Sequence, residues 1–338
     1  MSSDTPDSTR FADQLADSLP AGTVFRPGTE QYATSTSPDN SSFRQRPEAG
    51  VRPRTSADVA AAVTLARSLG LRVAVQATGH GAGSPLGNGL VLWPAEHLAG
   101  LAAAWIGALP QAPDTLTSTL SLLQLPPEGP FPATLLNTTV VHLSYASIGG
   151  EPGLTSLRAA MRAVAEPAID TTGPSDAAAL SGIHLDPPVA VPARGLGRWL
   201  GPLTAGAIEQ IFEAARIGRP DGLNMIELRH VDSAAPARDG ALTRVPGPFL
   251  LHAVGAADGD QRRADVDSYL ARVEAAARPA DLGRAAPSFR EGQPSPDDAY
   301  TESELHRLTQ VAAHTDPDRV FAFERVPDQP ADPEIVLP

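Results

Sequence analysis

The chain has 338 residues, more than one ordinary domain holds, and 42% of them are apolar, enough to build a core. Its net charge is -13 and it has no lysine, so nucleic acid and anionic membranes are disfavoured partners, and Schiff-base and P-loop lysine chemistries are excluded. Cysteine is absent too, which excludes disulfides, thiolate nucleophiles and cysteine-bound zinc.

In chain order, residues 1–20 read as a flexible, polar N-terminal tail in which Phe11 to Leu19 can form a short helix. No apolar run follows the first ten residues and no stretch approaches a membrane span, so the expectation is a soluble, cytoplasmic protein. The segment from Pro20 to Asn40, punctuated by Pro20, Pro27 and Pro38, reads as loop or extended chain. Val51 opens a short extended piece, Thr55 or Ser56 caps a helix, and Val59, Val63, Ala66 and Leu69 recur at helical spacing until Gly70 ends it. Leu71–Ala77 then alternates as a strand and breaks into Thr78-Gly79-His80-Gly81-Ala82-Gly83. Glycines there allow successive N–H groups to converge into a nest for an anion such as phosphate, with His80 inside it.

A brief strand at GLVLW leads to a helix from Pro94 to about Leu109. The strands LTSTLSLLQL and TTVVHLSYASI follow, with Val141, Leu143 and Tyr145 on one face of the second and Val140, His142 and Ser144 on the other. A helix over Leu154–Ala165, the segment AIDTTGP, an amphipathic helix over Ala205–Ile217 and the strands MIELRHV and PFLLHAVG continue an α+β pattern. A helix over Asp260–Ala277, a Pro- and Gly-rich loop over Arg278–Asp298 and a last helix over Glu302–Ala313 complete it. On MIELRHV, alternation puts Glu227 and Arg229 on one face and His230 on the other. His142, His184, His230 and His252 show no local ligand spacing, so no metal site is expected. There is no GxSxG, and Ser84 precedes a proline, so a serine hydrolase is not expected either.

These pieces carry a family likeness. RPRTSADVAAAVTLARSLGLRVAVQATGHGAG, LWPAEHLAGLAAAW with PDTLTSTLSLLQLP, NMIELRHV and RLTQVAAHTDPDRVFAF together resemble the FAD-linked oxidases of the berberine-bridge-enzyme type, with a PCMH (vanillyl-alcohol-oxidase) FAD lobe. The resemblance implies an α+β chain: a truncated PCMH-type FAD-binding lobe over 21–92, an antiparallel-sheet substrate domain covered by helices over 93–285, and a C-terminal segment over 286–338 that returns to the FAD lobe. It implies that Thr78, Gly79, Gly81 and Ala82 line the FAD pyrophosphate, that His80 is the covalent attachment point, and that Tyr300 lies beside the flavin. The larger part of the family's FAD lobe would fall between Leu92 and Trp93, where this chain runs straight on, and no cysteine exists for a second flavin link. Asp232 and Ser233 stand where the family tends to carry paired glycines.

A flavin oxidase needs a base, and Glu227 or Tyr145 can serve; the same Glu227–Arg229 pattern also suits a structural ion pair. The expected function is therefore hydride transfer from a small organic substrate to FAD with oxygen as acceptor. The alternative is a non-catalytic, internally shortened homologue that binds a ligand or a partner.

Overall fold

The computed structural model describes residues 6–36, 47–69, 71, 73, 87–129, 131–147, 152–173, 191–231, 243–292 and 297–321. In chain order these form α1 (Pro6–Ser18), β1 (Val24–Phe25), α2 (Glu30–Thr36), β2 (Gly50–Val51), α3 (Ser56–Ser68), β3 (Gly87–Pro94), α4 (Leu98–Ala108), β4 (Leu116–Gln124), β5 (Thr139–Ser147), α5 (Pro152–Val164) and β6 (Ile169–Asp170). Then come β7 (Ala193–Leu200), α6 (Ala205–Ala214), β8 (Met225–His230), β9 (Phe249–Ala256), α7 (Asp260–Ala277), β10 (Asp281–Ala285) and α8 (Glu302–Thr315). The chain divides into two compact units, one of Met1–His80 with Thr301–Pro338 and one of Gly81–Tyr300.

In the first unit, Ala12, Leu15 and Leu19 recur on one face of α1 and its end, and all are buried. Helix α3 begins as its sequence requires. The Thr55 hydroxyl accepts from Asp58 N, and the Asp58 carboxylate accepts from Thr55 N, a reciprocal capping box. Val73 pairs in parallel with Phe321, Arg67 is ion-paired with Asp318, and the Asp316 carboxylate accepts from Val320 N and Phe321 N at 2.8 Å each. The expected loop after Pro20 is more structured than its prolines suggest. β1 pairs with β2, and α2 starts where Thr29 Oγ1 accepts from Tyr32 N and Glu30 sits in the first turn, a local cap that outweighs the flanking prolines.

The second unit is an eight-stranded antiparallel sheet in the order β10-β7-β9-β8-β4-β5-β3-β6. One face is covered by helices. Leu101 and Trp105 of α4, Leu157 and Met161 of α5, Ile211 and Phe212 of α6 and Val266 and Val273 of α7 join Val91, Trp93, Leu120, Val141, Leu143, Ile226, Leu228 and Leu251 of the strands in one core. The few polar groups in it are bonded: Trp105 Nε1 donates to Ser118 Oγ at 3.0 Å, and Trp93 Nε1 to the Ala165 carbonyl at 2.8 Å. β3 runs unbroken through Leu92 and Trp93, both buried and paired with β5.

Two strands differ from the sequence reading. β7 lies in a stretch with no strand signal, because Gly195 and Gly197 interrupt its apolar pattern, and β10 lies inside the expected Arg278–Asp298 loop. Both have a tertiary cause. Residues 286–291 keep following β7 beyond β10: Ala286 N donates to the Gly197 carbonyl at 2.9 Å, and Gly195 N to the Glu291 carbonyl at 2.8 Å. Side chains of this strap lie over the two glycines, where a Cβ on Gly197 would come within 2.7 Å of Phe289 Cβ and carbonyl oxygen.

Candidate active site

The sheet face opposite the helices carries a band of polar residues. Strand alternation sends every second side chain there, and the registers align them across the sheet. One row runs His142 on β5, Ser121 on β4, Glu227 on β8, His252 on β9 and Gly197 on β7. The next runs Ser144, Thr119, Arg229, Leu250 and Trp199. The band is bounded by a cluster of Leu92, Leu123, Leu125, Leu135 and Val140 and by another of Trp199, Leu250 and Ala286. Among its members Ser121, His142, Ser144, Glu227 and His252 are all buried.

Glu227 is at the centre. Its Oε1 lies 3.0 Å from Arg229 Nη2 and 3.8 Å from His252 Nδ1. The other ring nitrogen, His252 Nε2, lies 3.2 Å from Oε2 of Glu291 on the strap. Burial by itself disfavours the imidazolium, but the Glu291 charge and then the contact with Glu227 outweigh it and raise the His252 pKa to about 9. His252 is therefore a cation at neutral pH, and Glu227 has a positive partner on each side, which favours its ionised form. Phe289 completes the cover, its ring 5.2 Å from that of His252 and 5.5 Å from the Arg229 guanidinium carbon. Ser121 Oγ and Ser144 Oγ are buried and make no hydrogen bond among the described residues.

Chemically, the arrangement fixes the position of a carboxylate, with hydrogen-bond donors on both sides of it, in a buried site. The expected opposition of Glu227 and Arg229 to His230 holds: His230 is on the helix side, its ring 5.5 Å from that of Phe249. Tyr145 is also on the helix side, buried, with its hydroxyl bonded to Thr172 Oγ1. Thr172 in turn bonds to Asp170, which Arg158 and Arg162 hold at 3.2 and 2.7 Å. The structure thus separates Tyr145 from Glu227 by the thickness of the sheet. Tyr300 is half-buried at the end of the second unit. Thr78, Gly79, His80, Gly81 and Ala82 lie outside the described residues. In the sequence His252 stands out only as a histidine without ligand spacing and Glu291 not at all, because no local pattern joins two residues that only the fold brings together.

No protein-family model matches the chain, and no curated protein matches it in sequence. Solved structures do. BBE-like 1 of Physcomitrella patens superposes with a TM-score of 0.68 at 14% identity, over 93% of this chain and 98% of that one. A chitooligosaccharide oxidase gives 0.66 at 12% over 95% and 98%, and Phl p 4, a grass pollen allergen with glucose dehydrogenase activity, gives 0.64 at 11% over 94% and 99%. At these identities the likeness establishes the fold. The chain has the berberine-bridge-enzyme-like fold that its sequence resembles. Among the described residues no helix is long and apolar enough to cross a membrane.

Proposed function

We propose that this protein is an FAD-linked oxidoreductase of the berberine-bridge type that oxidises a small organic substrate, with oxygen as acceptor and Glu227 as the base. The observation that carries the reading is the buried Glu227 carboxylate, seated between Arg229 and His252 in the middle of the sheet face opposite the helices of the second unit, in a fold shared with an oxidase and a dehydrogenase. The residues present fit the ring end of FAD, because Ser121 Oγ and Ser144 Oγ, buried and unbonded among the described residues, add polar contacts to those of Arg229 and His252. When bound, FAD supplies the acceptor for the hydride, and with it the two electrons, that leave the substrate carbon. Glu227 takes the accompanying proton from the substrate hydroxyl or C–H. Arg229 and His252 hold the carboxylate in place, so that its orientation toward the substrate is fixed before the proton is transferred. Thr78, Gly79, Gly81 and Ala82 are the proposed pyrophosphate residues, His80 the proposed tether, and Tyr300 a residue on the flavin side.

The test is direct. Purified protein should be yellow and keep a flavin band after acid precipitation, and His80→Ala should abolish the covalent fraction. Glu227→Gln should keep the flavin and lower its rate of reduction by substrate by at least about 100-fold, the range of general-base contributions. Colourless protein that takes up no added FAD overturns the proposal.

A further inference from the structure

Glu291 comes from neither the helices nor the strands of the sheet, yet it touches the site's buried histidine. The strap that carries it is fastened by backbone. Ala286 N bonds the Gly197 carbonyl, Gly195 N bonds the Glu291 carbonyl, and Arg194, itself paired with Asp267 at 2.9 Å, donates to the carbonyl of Gly292. Gly195 and Gly197 have no side chains to hold the strap away; a Cβ on Gly195 would collide with the Glu291 carboxylate itself. A loop that merely crossed the surface would need none of these provisions.

The charged groups that face His252 are few. β8 contributes Glu227 and Arg229, the strap contributes Glu291, and β7 presents only glycine at the adjacent register position. Arg290 is influenced instead by Asp298, Arg198 and Glu274, and the side chain of Arg198 contacts Asp281, Asp298 and Glu274. Of the two anions at the imidazole, Glu291 is the nearer, 3.2 Å against 3.8 Å, and Glu227 already has Arg229. Glu291 is thus the nearer of the two anions at the imidazole.

We propose that Glu291 is a positioning residue of the site: from the strap it holds the His252 imidazolium in place, and so supplies Glu227 with its second cation. This deepens the proposed function and rests on Glu227 being the base. Glu291 itself touches no reacting atom in this scheme. Its effect runs through His252, as an outer carboxylate orients and charges an inner imidazole.

The test follows the His252 ring proton by NMR as a function of pH in the full-length protein, with the resonance assigned by its loss in His252→Gln. In the unaltered protein the midpoint should lie near 9. Glu291→Gln, nearly isosteric, should lower it by at least one pH unit, a tenfold loss of proton affinity, and Glu291→Asp should restore part of the shift. In flavin-loaded protein, the pH step that the rate of flavin reduction shows at the His252 midpoint should move to lower pH in Glu291→Gln by the same interval, while the flavin content is unchanged. A His252 midpoint in the unaltered protein at or below about 6.5, the free-histidine value, overturns the proposal with no variant required. So does a midpoint unmoved by Glu291→Gln. Protein that shows the NMR shift but binds no flavin supports the Glu291–His252 coupling and sinks the oxidoreductase reading instead, so the two failures are distinguishable.

Discussion

Gly197→Ala tests whether the strap is built into the sheet or rests on it. The new Cβ would lie 2.7 Å from Phe289 Cβ, 2.7 Å from the Phe289 carbonyl oxygen and 2.8 Å from the Ala286 carbonyl oxygen. Two of these three atoms are backbone, so no rotamer change relieves the overlap and the strap itself must shift. Overpacking of this kind costs about 1–3 kcal/mol. Displacing Phe289 also loosens its contacts with Arg229 and His252, each worth about 0.5–1 kcal/mol. The expected loss is about 2–5 kcal/mol in urea denaturation, with a fall in the His252 midpoint, because Glu291 moves with the strap. Gly206→Ala is the matched control. It lies near the start of α6 with nothing within 4 Å of the new Cβ, so it should be neutral or stabilising by up to about 1 kcal/mol. A Gly197→Ala protein within about 0.5 kcal/mol of the parent, or a Gly206→Ala protein that loses as much as Gly197→Ala, would refute the reasoning.

The raised His252 pKa makes a signed prediction about stability: its contribution, about 3 kcal/mol, is fully present below pH 6.5 and disappears as pH rises through about 9. Chemical denaturation at pH 6, 8 and 10 should show that decline, and His252→Gln should flatten it. Asp170 has the opposite sign. Its burial opposes ionisation, but bonds from Thr172, Arg162 and Arg158 hold its carboxyl well below the usual carboxylate range, so its contribution is present above about pH 4 and lost only in strong acid. Asp170→Asn should cost about 3 kcal/mol at pH 7, the low end for a partly buried pair, by removing the carboxylate that Arg158 and Arg162 share while Arg162 keeps Glu166, measured by the same denaturation.

Much of the second unit is legible from residue order alone. β4, β5, β8 and β9 are recognisable because alternation and β-branched or aliphatic content coincide there, and the same alternation correctly separates Val140, His142 and Ser144 from Val141, Leu143 and Tyr145. Helix α3 likewise follows from a cap at Thr55 or Ser56, since capping is a contact within four residues; the structure settles on Thr55, closed by Asp58, and shows a second such box at α8 between Thr301 and Glu304. β7 is illegible for a physical reason. Its glycines remove the apolar signal that marks a strand, and they are there to admit Phe289 and Glu291, a partner whose presence local sequence does not announce.

The candidate site divides along the same line. Local sequence determines that Glu227 and Arg229 share a face and that His230 opposes them, because a strand's period is two and needs no neighbour to define it. Tertiary structure alone decides that β8 lies between β4 and β9, so that Ser121 and His252 flank Glu227, and that a chain segment 39 residues beyond His252 returns along β7 to set Glu291 against the imidazole. Those pairings depend on strand order and on backbone hydrogen bonds between distant segments. They also turn a carboxylate and a histidine that look unrelated in the sequence into a charge-coupled pair.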